Sequence, residues 1–404
     1  MGKSGDIGGQ NHQRSYGTEE INSLAESMGS DKVKILYIAL DMDLGGLQRV
    51  VNLLIRRIDK KLFIPYLCCL DRGGIFCEEL KENEVGTYIL NRKPGPFDTG
   101  LFKNLCKILV DNEIDIIHSQ NGCSLYSALA GWKAGVKGIV HTDHGRLVPD
   151  KRSAVLEDRF SSWMMDRVVG VSENLTEYLE MGVKINKKKL LTIINGVDTD
   201  RFVPLDTEQK NKLRNAIGLN RGDKVLGTIC RLDPIKNLEF LIRSLPSLSE
   251  AIPECKLLIV GDGPSEESLR SYAKSNGVAS KVMFMGRSAE VEKMLPVFDL
   301  YVCSSLSEGT SMTILEAMAC GLPIVASEVG GNVKLIDHSN GLLFPLNDEK
   351  AFHQGTISLL KDPERLKRMG ECSRARVEAD FNLDRFVGRY EELYQSVYTA
   401  TNAN

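Results

Sequence analysis

The sequence predicts an α/β protein built as two Rossmann-like lobes facing across a cleft. Short apolar, β-rich runs alternate with amphipathic stretches from Lys32 onward, the signature of parallel βαβ units. That alternation halts once, in a polar stretch after Pro204, and then starts again as a second series. The length, 404 residues, exceeds one such domain and suits two.

Taken in order, residues 1–31 are polar and rich in Gly, Ser, Asn and Gln, with no apolar core of a signal peptide. They read as a flexible N-terminal tail. KVKILYIAL (32–40) reads as a buried strand, DMDLGG as a glycine-containing loop, and LQRVVNLLIRRI (47–58) as a helix. Its residues Val50, Val51, Leu54 and Ile58 recur at helical spacing. FIPYLCCL, GTYILN, IDIIHSQ, GIVHTDHG, DRVVGVS and LLTIING repeat the strand theme up to Gly196 and complete a first domain over 32–205. NGVDTDRFVP (195–204) reads as the connection between lobes. KVLGTICRLD, CKLLIVGDG, KVMFMG, FDLYVCSS, GLPIVASEVGG and GLLFP then supply the strands of a second domain over 206–384. The helical stretch LDRFVGRYEELYQSVY (383–398) is expected to cross back and brace the first lobe, leaving 385–404 as a C-terminal helical segment.

Composition narrows the function. Hydrophobic residues at 42% and charged residues at 26% exclude a mainly disordered chain. With Lys plus Arg at 51 and Asp plus Glu at 54, no basic excess marks a nucleic-acid partner. The ten cysteines form no CxxC pair, and no Cys/His cluster has zinc-finger spacing, so they read as reduced thiols of a cytoplasmic protein. No apolar run approaches the 18 residues of a membrane span.

Chemistry should gather in the loops beyond the strand ends. The most informative one opens SSLSEGTSMTILEAMACGLPIVASEVGG (304–331), where a strand ends in a polar loop and an apolar helix follows. Free amides and the positive dipole end at that helix start would seat a diphosphate, with Glu308 and Glu316 placed to accept sugar hydroxyls. Read alone, the same residues also fit an N-cap with solvated glutamates.

The whole stretch resembles the E-x7-E signature of the retaining nucleotide-sugar glycosyltransferases of family four, which have the GT-B architecture. GGLQRVV (45–51), HTDHG (141–145), VSENL (171–175), NGVDTDRF (195–202), RLDPIKN (231–237) and IVGDGPSEESL (259–269) follow in that family's order, so the likeness covers roughly residues 32–398. It implies transfer of a hexose or N-acetylhexosamine from a nucleoside diphosphate sugar, UDP favoured and GDP the alternative, to an acceptor hydroxyl on a saccharide or glycolipid. Surface-polysaccharide assembly is the expected setting, and no cofactor or metal is expected. Arg231 and Lys236 would clamp the diphosphate, Glu308 would contact the sugar, and Glu316 would bind the ribose. Backbone amides of Gly309, Thr310, Ser311, Met312, Thr313, Ile314 and Leu315 would approach sugar and phosphates. Gly45 and Gly46 would bring the first lobe close to the β-phosphate, and the loop at Gly286 and Arg287 would read the base. His144 would lie near the scissile bond without acting as a conventional base, since such enzymes are thought to react front-side with the leaving phosphate taking the acceptor proton. His118 and His141 read as structural.

Other patterns carry less. The Asp41/Asp43 and Asp198/Asp200 triplets read as loop and turn chemistry rather than metal ligands. GDGPSE (261–266) places Glu266 where a dinucleotide fingerprint needs its third glycine. Lys334 stands where many relatives carry an acidic residue, and would either alter donor-sugar contacts or face solvent. The basic pairs Arg56-Arg57 and Lys60-Lys61 read as a solvated helix end, with a weak peripheral contact to an anionic membrane as the sharper alternative. Two other functions share the sequence features: a same-fold retaining phosphorylase or sugar-nucleotide epimerase, and a non-catalytic nucleotide-sugar binding subunit.

Overall fold

The computed structural model describes residues 32–402 apart from 96, 146–149 and 289, and the tail expected over 1–31 lies outside the described residues. The first lobe is a seven-stranded sheet of β1 (Val33–Ala39), β2 (Phe63–Cys69), β3 (Gly86–Ile89), β4 (Ile116–Gln120), β5 (Gly138–Asp143), β6 (Arg167–Gly170) and β7 (Leu190–Thr192). The second is a six-stranded sheet of β8 (Lys224–Ile229), β9 (Cys255–Val260), β10 (Val282–Phe284), β11 (Leu300–Cys303), β12 (Ile324–Ser327) and β13 (Gly341–Phe344). Each run read as a strand contains one of these.

The strand orders are β3-β2-β1-β4-β5-β6-β7 and β10-β9-β8-β11-β12-β13, with parallel pairing throughout. β1 and β8 are the inner strands at which each order reverses, so a crevice opens beyond the ends of β1/β4 in one lobe and β8/β11 in the other. The strands are near-continuous apolar runs because helices cover both faces: Ile35, Leu36, Tyr37 and Ile38 are all 0% exposed.

The chain crosses between lobes twice, at one place. Val197 on the outward crossing bridges Asn382 on the return, and its amide donates to the Phe381 carbonyl at 2.9 Å. Arg374 binds the outward crossing from the second lobe, donating to the Phe202 carbonyl at 2.6 Å and the Thr199 carbonyl at 3.0 Å. The last helix, Leu383–Asn402, returns to the first lobe and buries Phe386, Tyr390, Tyr394 and Val397. Its hydroxyls reach the sheet interior: Tyr394 lies 2.7 Å from His118 Nδ1, and Tyr390 lies 3.0 Å from Thr142 Oγ1.

Candidate active site

The helix Met312–Ala319 follows β11 and is buried at every residue but Thr313, Glu316 included, so packing seals its faces. Ser311 caps it, accepting from the Ile314 amide at 3.4 Å, and the Ser311 carbonyl accepts from the Leu315 amide at 3.2 Å. Of the amides from Gly309 to Leu315 expected to approach sugar and phosphates, those of Ile314 and Leu315 are thus engaged by Ser311. Met312, Ile314 and Leu315 put their side chains in the core, and Thr313 accepts from the Tyr301 hydroxyl at 2.7 Å.

Glu308 sits in the loop before this helix. The turn at Gly330 presses against that loop: at φ +48°, a β-carbon there would stand 1.8 Å from the Glu308 carbonyl. Glu308 Oε1 accepts from Lys236 Nζ at 2.6 Å and from Ser305 Oγ at 2.6 Å. Lys236 arrives on the turn Pro234–Lys236 that follows β8, across the crevice from β11. Burial alone would pull the Lys236 pKa down, but the Glu308 carboxylate outweighs it and the net shift is upward, so the ammonium stays charged.

Arg231 behaves differently. Its side chain is 71% exposed and pairs with Asp233 at 3.0 Å. Arg231 and Lys236, expected to clamp a diphosphate together, are thus engaged separately, Arg231 with Asp233 and Lys236 with Glu308. A half-buried lysine takes the nearest carboxylate, while the arginine stays at the mouth of the crevice.

Glu316 lies at the start of the helix's second turn and is fully buried. Its Oε1 accepts from Arg49 Nη1 of the first lobe at 2.6 Å, and its Oε2 is buried without a partner. At the far end of the crevice Gly286 takes φ +69°, a left-handed turn that glycine adopts freely. Arg287 beside it is half exposed and 3.8 Å from Asp43 of the first lobe.

The first lobe closes over this array. Gly45 and Gly46 begin the helix Gly46–Arg57, and a β-carbon on Gly46 would meet Met312 Cγ at 3.9 Å, an ordinary contact. His144 follows β5; its amide donates to Asn121 Oδ1 at 2.7 Å and its Nε2 lies 2.7 Å from Gln120 Oε1. Burial, with His141 adding to it, pushes the imidazole pKa down to about 3. His144 meets the Glu308 loop at Gly309, where a β-carbon would stand 2.2 Å from the His144 carbonyl. Thr310 Oγ1 donates to the Val171 carbonyl across the same interface. Lys334, left between donor sugar and solvent by the sequence, faces solvent and there pairs with Glu173 of the first lobe at 3.0 Å.

His118 is enclosed by Tyr394 and Thr142, and His141 Nδ1 meets Ser119 Oγ at 2.8 Å, so both are held as internal struts. Asp41 accepts from Gln48 Nε2 at 3.1 Å, and Asp198 accepts from the amides of Asp200 and Arg201, as loop and turn residues do. Among the described residues no group of three or more His, Cys, Asp or Glu side chains is gathered as metal ligands.

Comparison with known proteins decides the family. A profile described as Glycosyltransferase Family 4 matches residues 44–201, and one described as Glycosyl transferases group 1 matches residues 209–376. A GDP-mannose-dependent monoacylated alpha-(1-6)-phosphatidylinositol monomannoside mannosyltransferase of Corynebacterium glutamicum is 33% identical over 316 residues, 72% of this chain and 79% of that protein. The chain belongs to glycosyltransferase family 4. Another relative, N-acetyl-alpha-D-glucosaminyl L-malate synthase of Bacillus anthracis, is 28% identical over 78% of this chain and 83% of its own. The GT-B fold is shared with Anabaena HepE, solved in complex with UDP, at a TM-score of 0.79, 20% identity, and coverage of 91% of this chain and 100% of that one.

In this glycosyltransferase several site residues escape the sequence reading. Gln120 and Asn121, which aim His144, stand at the end of the strand run IDIIHSQ, where the strand-end rule points. Arg49 carries a weaker signal, its place one turn beyond the Gly-Gly loop. Ser305 reaches Glu308 within its own loop, three residues on, and Glu173 carries no signal, because its partner Lys334 is fixed only by lobe closure.

Proposed function

We propose that this family 4 glycosyltransferase moves a hexose or N-acetylhexosamine from a nucleoside diphosphate sugar to an acceptor hydroxyl with retention, giving an α-linkage from an α donor. The observation that carries the reading is the Lys236–Glu308 ion pair beside the start of the helix Met312–Ala319, under the first lobe at His144. A diphosphate offers Lys236 a second anionic partner, and the helix start adds amides and dipole without reorganisation. Release of Glu308 from Lys236 would turn the carboxylate to the sugar, with Arg231 free to swing onto the phosphates. A histidine whose pKa lies near 3 is a weak base, which suits a front-side reaction in which the leaving phosphate takes the acceptor proton. The HepE likeness favours UDP, and the mannosyltransferase keeps GDP as the alternative.

A thermal-shift screen of UDP-, GDP- and ADP-sugars with and without EDTA tests the donor. One donor should raise the melting temperature, unchanged by chelation, and proton NMR of the product should show the α anomer. Nucleotide release without an acceptor, or a β product, would favour a different reaction of this fold.

For the acceptor we favour a lipid-linked saccharide, on a surface other than the one the sequence singled out. Arg56 pairs with Glu79, Arg57 with Asp198 at 3.0 Å, and Lys60 Nζ donates to the Ile55 carbonyl, so three of these four exposed cations are already engaged. Trp132 and Trp163 are instead each 72% exposed, on adjacent helices of the first lobe, with Phe160 beside Trp163 and Lys189 Nζ on the Trp163 carbonyl at 3.0 Å. Exposed indoles next to lysines suit a membrane interface with anionic lipid. Flotation with phosphatidylglycerol vesicles should carry the protein up, and a Trp132→Ala/Trp163→Ala variant should stay behind.

A further inference from the structure

Among the described residues Arg49 is the first-lobe side chain that bonds the buried Glu316 of the second lobe, and the sequence gives it no role. It stands in the first turn of the helix Gly46–Arg57, where its amide donates to the Gly45 carbonyl at 3.0 Å. Three residues after Gly46, it lies on the face that the Gly-Gly loop brings against the second lobe. The guanidinium crosses the cleft and reaches Glu316 Oε1 at 2.6 Å. Exposure separates the partners: the Arg49 side chain keeps 20% while that of Glu316 keeps 1%. The glutamate is thus sealed, and the arginine forms the rim above it.

Only half of the carboxylate is used. Glu316 Oε2 is buried and lacks any hydrogen-bond donor, and a buried charged oxygen is rarely left so. Both residues line an interlobe cavity of about 220 Å³, whose wall is mixed: apolar at Leu44, Met312, Val197 and Phe202, charged at Arg56, Glu79, Asp198 and Arg201. The missing partner must be a donor, small enough for that space and carried on a group with apolar faces. A ribose ring with its two vicinal hydroxyls has this chemistry.

We infer that Arg49 is a donor-positioning residue: it pins one oxygen of Glu316 across the cleft so that the other is presented to a ribose hydroxyl. This rests on the nucleoside diphosphate reading given above and deepens it. The consequence is that recognition of the ribose is shared between lobes, although the carboxylate belongs to one. An open cleft leaves Glu316 free to rotate and to be solvated. Closure over the donor brings Arg49 down, fixes the carboxylate plane, and makes the sugar-hydroxyl contact strong. Arginine suits the task because its planar fork holds a carboxylate in one orientation, whereas a lysine ammonium holds only a distance.

The test is calorimetric titration of UDP, GDP and ADP, followed by the 2′-deoxy and 3′-deoxy forms of whichever binds. It uses the full chain, Arg49→Met, Arg49→Lys and Glu316→Gln. In the unmodified protein the ribonucleotide should bind about ten-fold or more tightly than its deoxy forms, the size of a hydrogen bond to a charged group. Glu316→Gln should erase most of that ratio. Arg49→Met should erase it too, weakening the ribonucleotide while leaving the deoxy forms nearly unchanged, and Arg49→Lys should restore it only in part. A ratio in Arg49→Met equal to that of the unmodified protein would reduce Arg49 to an interlobe strut and overturn the inference. Tighter ribonucleotide binding in Arg49→Met would overturn it as well, since Arg49 would then be a plug on the site. Should Arg49→Met fail to fold, the Arg49→Lys ratio decides: an undiminished ratio sinks the proposal. An unmodified protein that binds none of the three nucleotides removes the underlying reading itself, a result separate from silent Arg49 variants on a protein that binds.

Discussion

At the scale of single residues the site is organised by charges that have left water and must find one another. Lys236 and Glu308 were legible as chemistry, because a lysine after one strand and a glutamate after another stand where ligands gather. Their pairing was not legible, since 72 residues of sequence separate them and only the strand order β8-β11 makes them neighbours. The pair gives a prediction. Glu308→Gln leaves the ammonium half-buried without its counter-charge, at a cost of about 1–3 kcal/mol in stability. A bound nucleoside diphosphate would return negative charge to Lys236, so the melting shift on adding nucleotide should be larger in Glu308→Gln than in the unmodified protein. A smaller shift would mean that Glu308 itself, and not Lys236, holds the ligand. The histidines give a second prediction, and its sign follows from their surroundings. Burial holds His144 down to about 3 and His118 well below the usual imidazole value. The unfolded chain takes up protons on both as pH falls through about 6.5, while the folded chain does not. Stability should therefore drop between pH 6.5 and 5, with a limiting slope of about 1.4 kcal/mol per pH unit for each histidine. Urea midpoints across that window should show a shallower slope in His118→Gln, whatever that substitution does to stability at pH 7.

At the scale of elements the sequence was most readable where burial is two-sided. A parallel strand covered by helices is a run of apolar residues, and each such run holds a strand. Boundaries were less readable. LLTIING reads as a seven-residue strand, but β7 keeps only Leu190–Thr192. The remainder leaves the sheet because Gly196 lies against the last helix, where a β-carbon would stand 2.5 Å from Phe386 Cβ and 2.9 Å from the Asn382 carbonyl. That contact spans nearly half the chain, and no local pattern encodes it. The same helix illustrates how an element can be assigned correctly and its role still be missed. Its amphipathic spacing announced packing on the first lobe, yet Tyr390 and Tyr394 also supply polar partners to Thr142 and His118 inside the core. Tyr394→Phe removes the Nδ1 partner of a fully buried histidine and should cost about 1–3 kcal/mol in urea unfolding. Tyr394→Ala adds a cavity and should cost about 3–5 kcal/mol. Equal costs for the two would show that the hydroxyl carries the whole effect and the ring packs poorly.

At the scale of the whole molecule the polar contacts across the lobes among the described residues include Arg49 with Glu316, Lys334 with Glu173, Arg287 near Asp43, and Thr310 with the Val171 carbonyl. Three of these are ion pairs, and two of the three are substantially exposed on both sides and so worth little singly. The arrangement is one that a small change can open, about the paired crossings at Val197 and Asn382. Gly309 is the place to apply that change. The three atoms nearest to a β-carbon there are His144 O at 2.2 Å, His144 C at 3.0 Å and Val171 Cγ2 at 3.2 Å, all in the first lobe. Within its own lobe the new methyl meets no closer obstacle, so Gly309→Ala should fold with each lobe intact and yet be unable to close. The expected result is loss of more than about a hundred-fold in turnover, as misplacement of reacting groups by an ångström brings, with a melting temperature nearly unchanged. Small-angle scattering should show a larger radius of gyration than the unmodified protein, most plainly with nucleotide bound. A variant that stays as compact as the parent, but inactive, would place the defect in the loop itself and not in closure. A variant that stays both compact and active would mean that the lobes turn over donor without bringing His144 against Gly309.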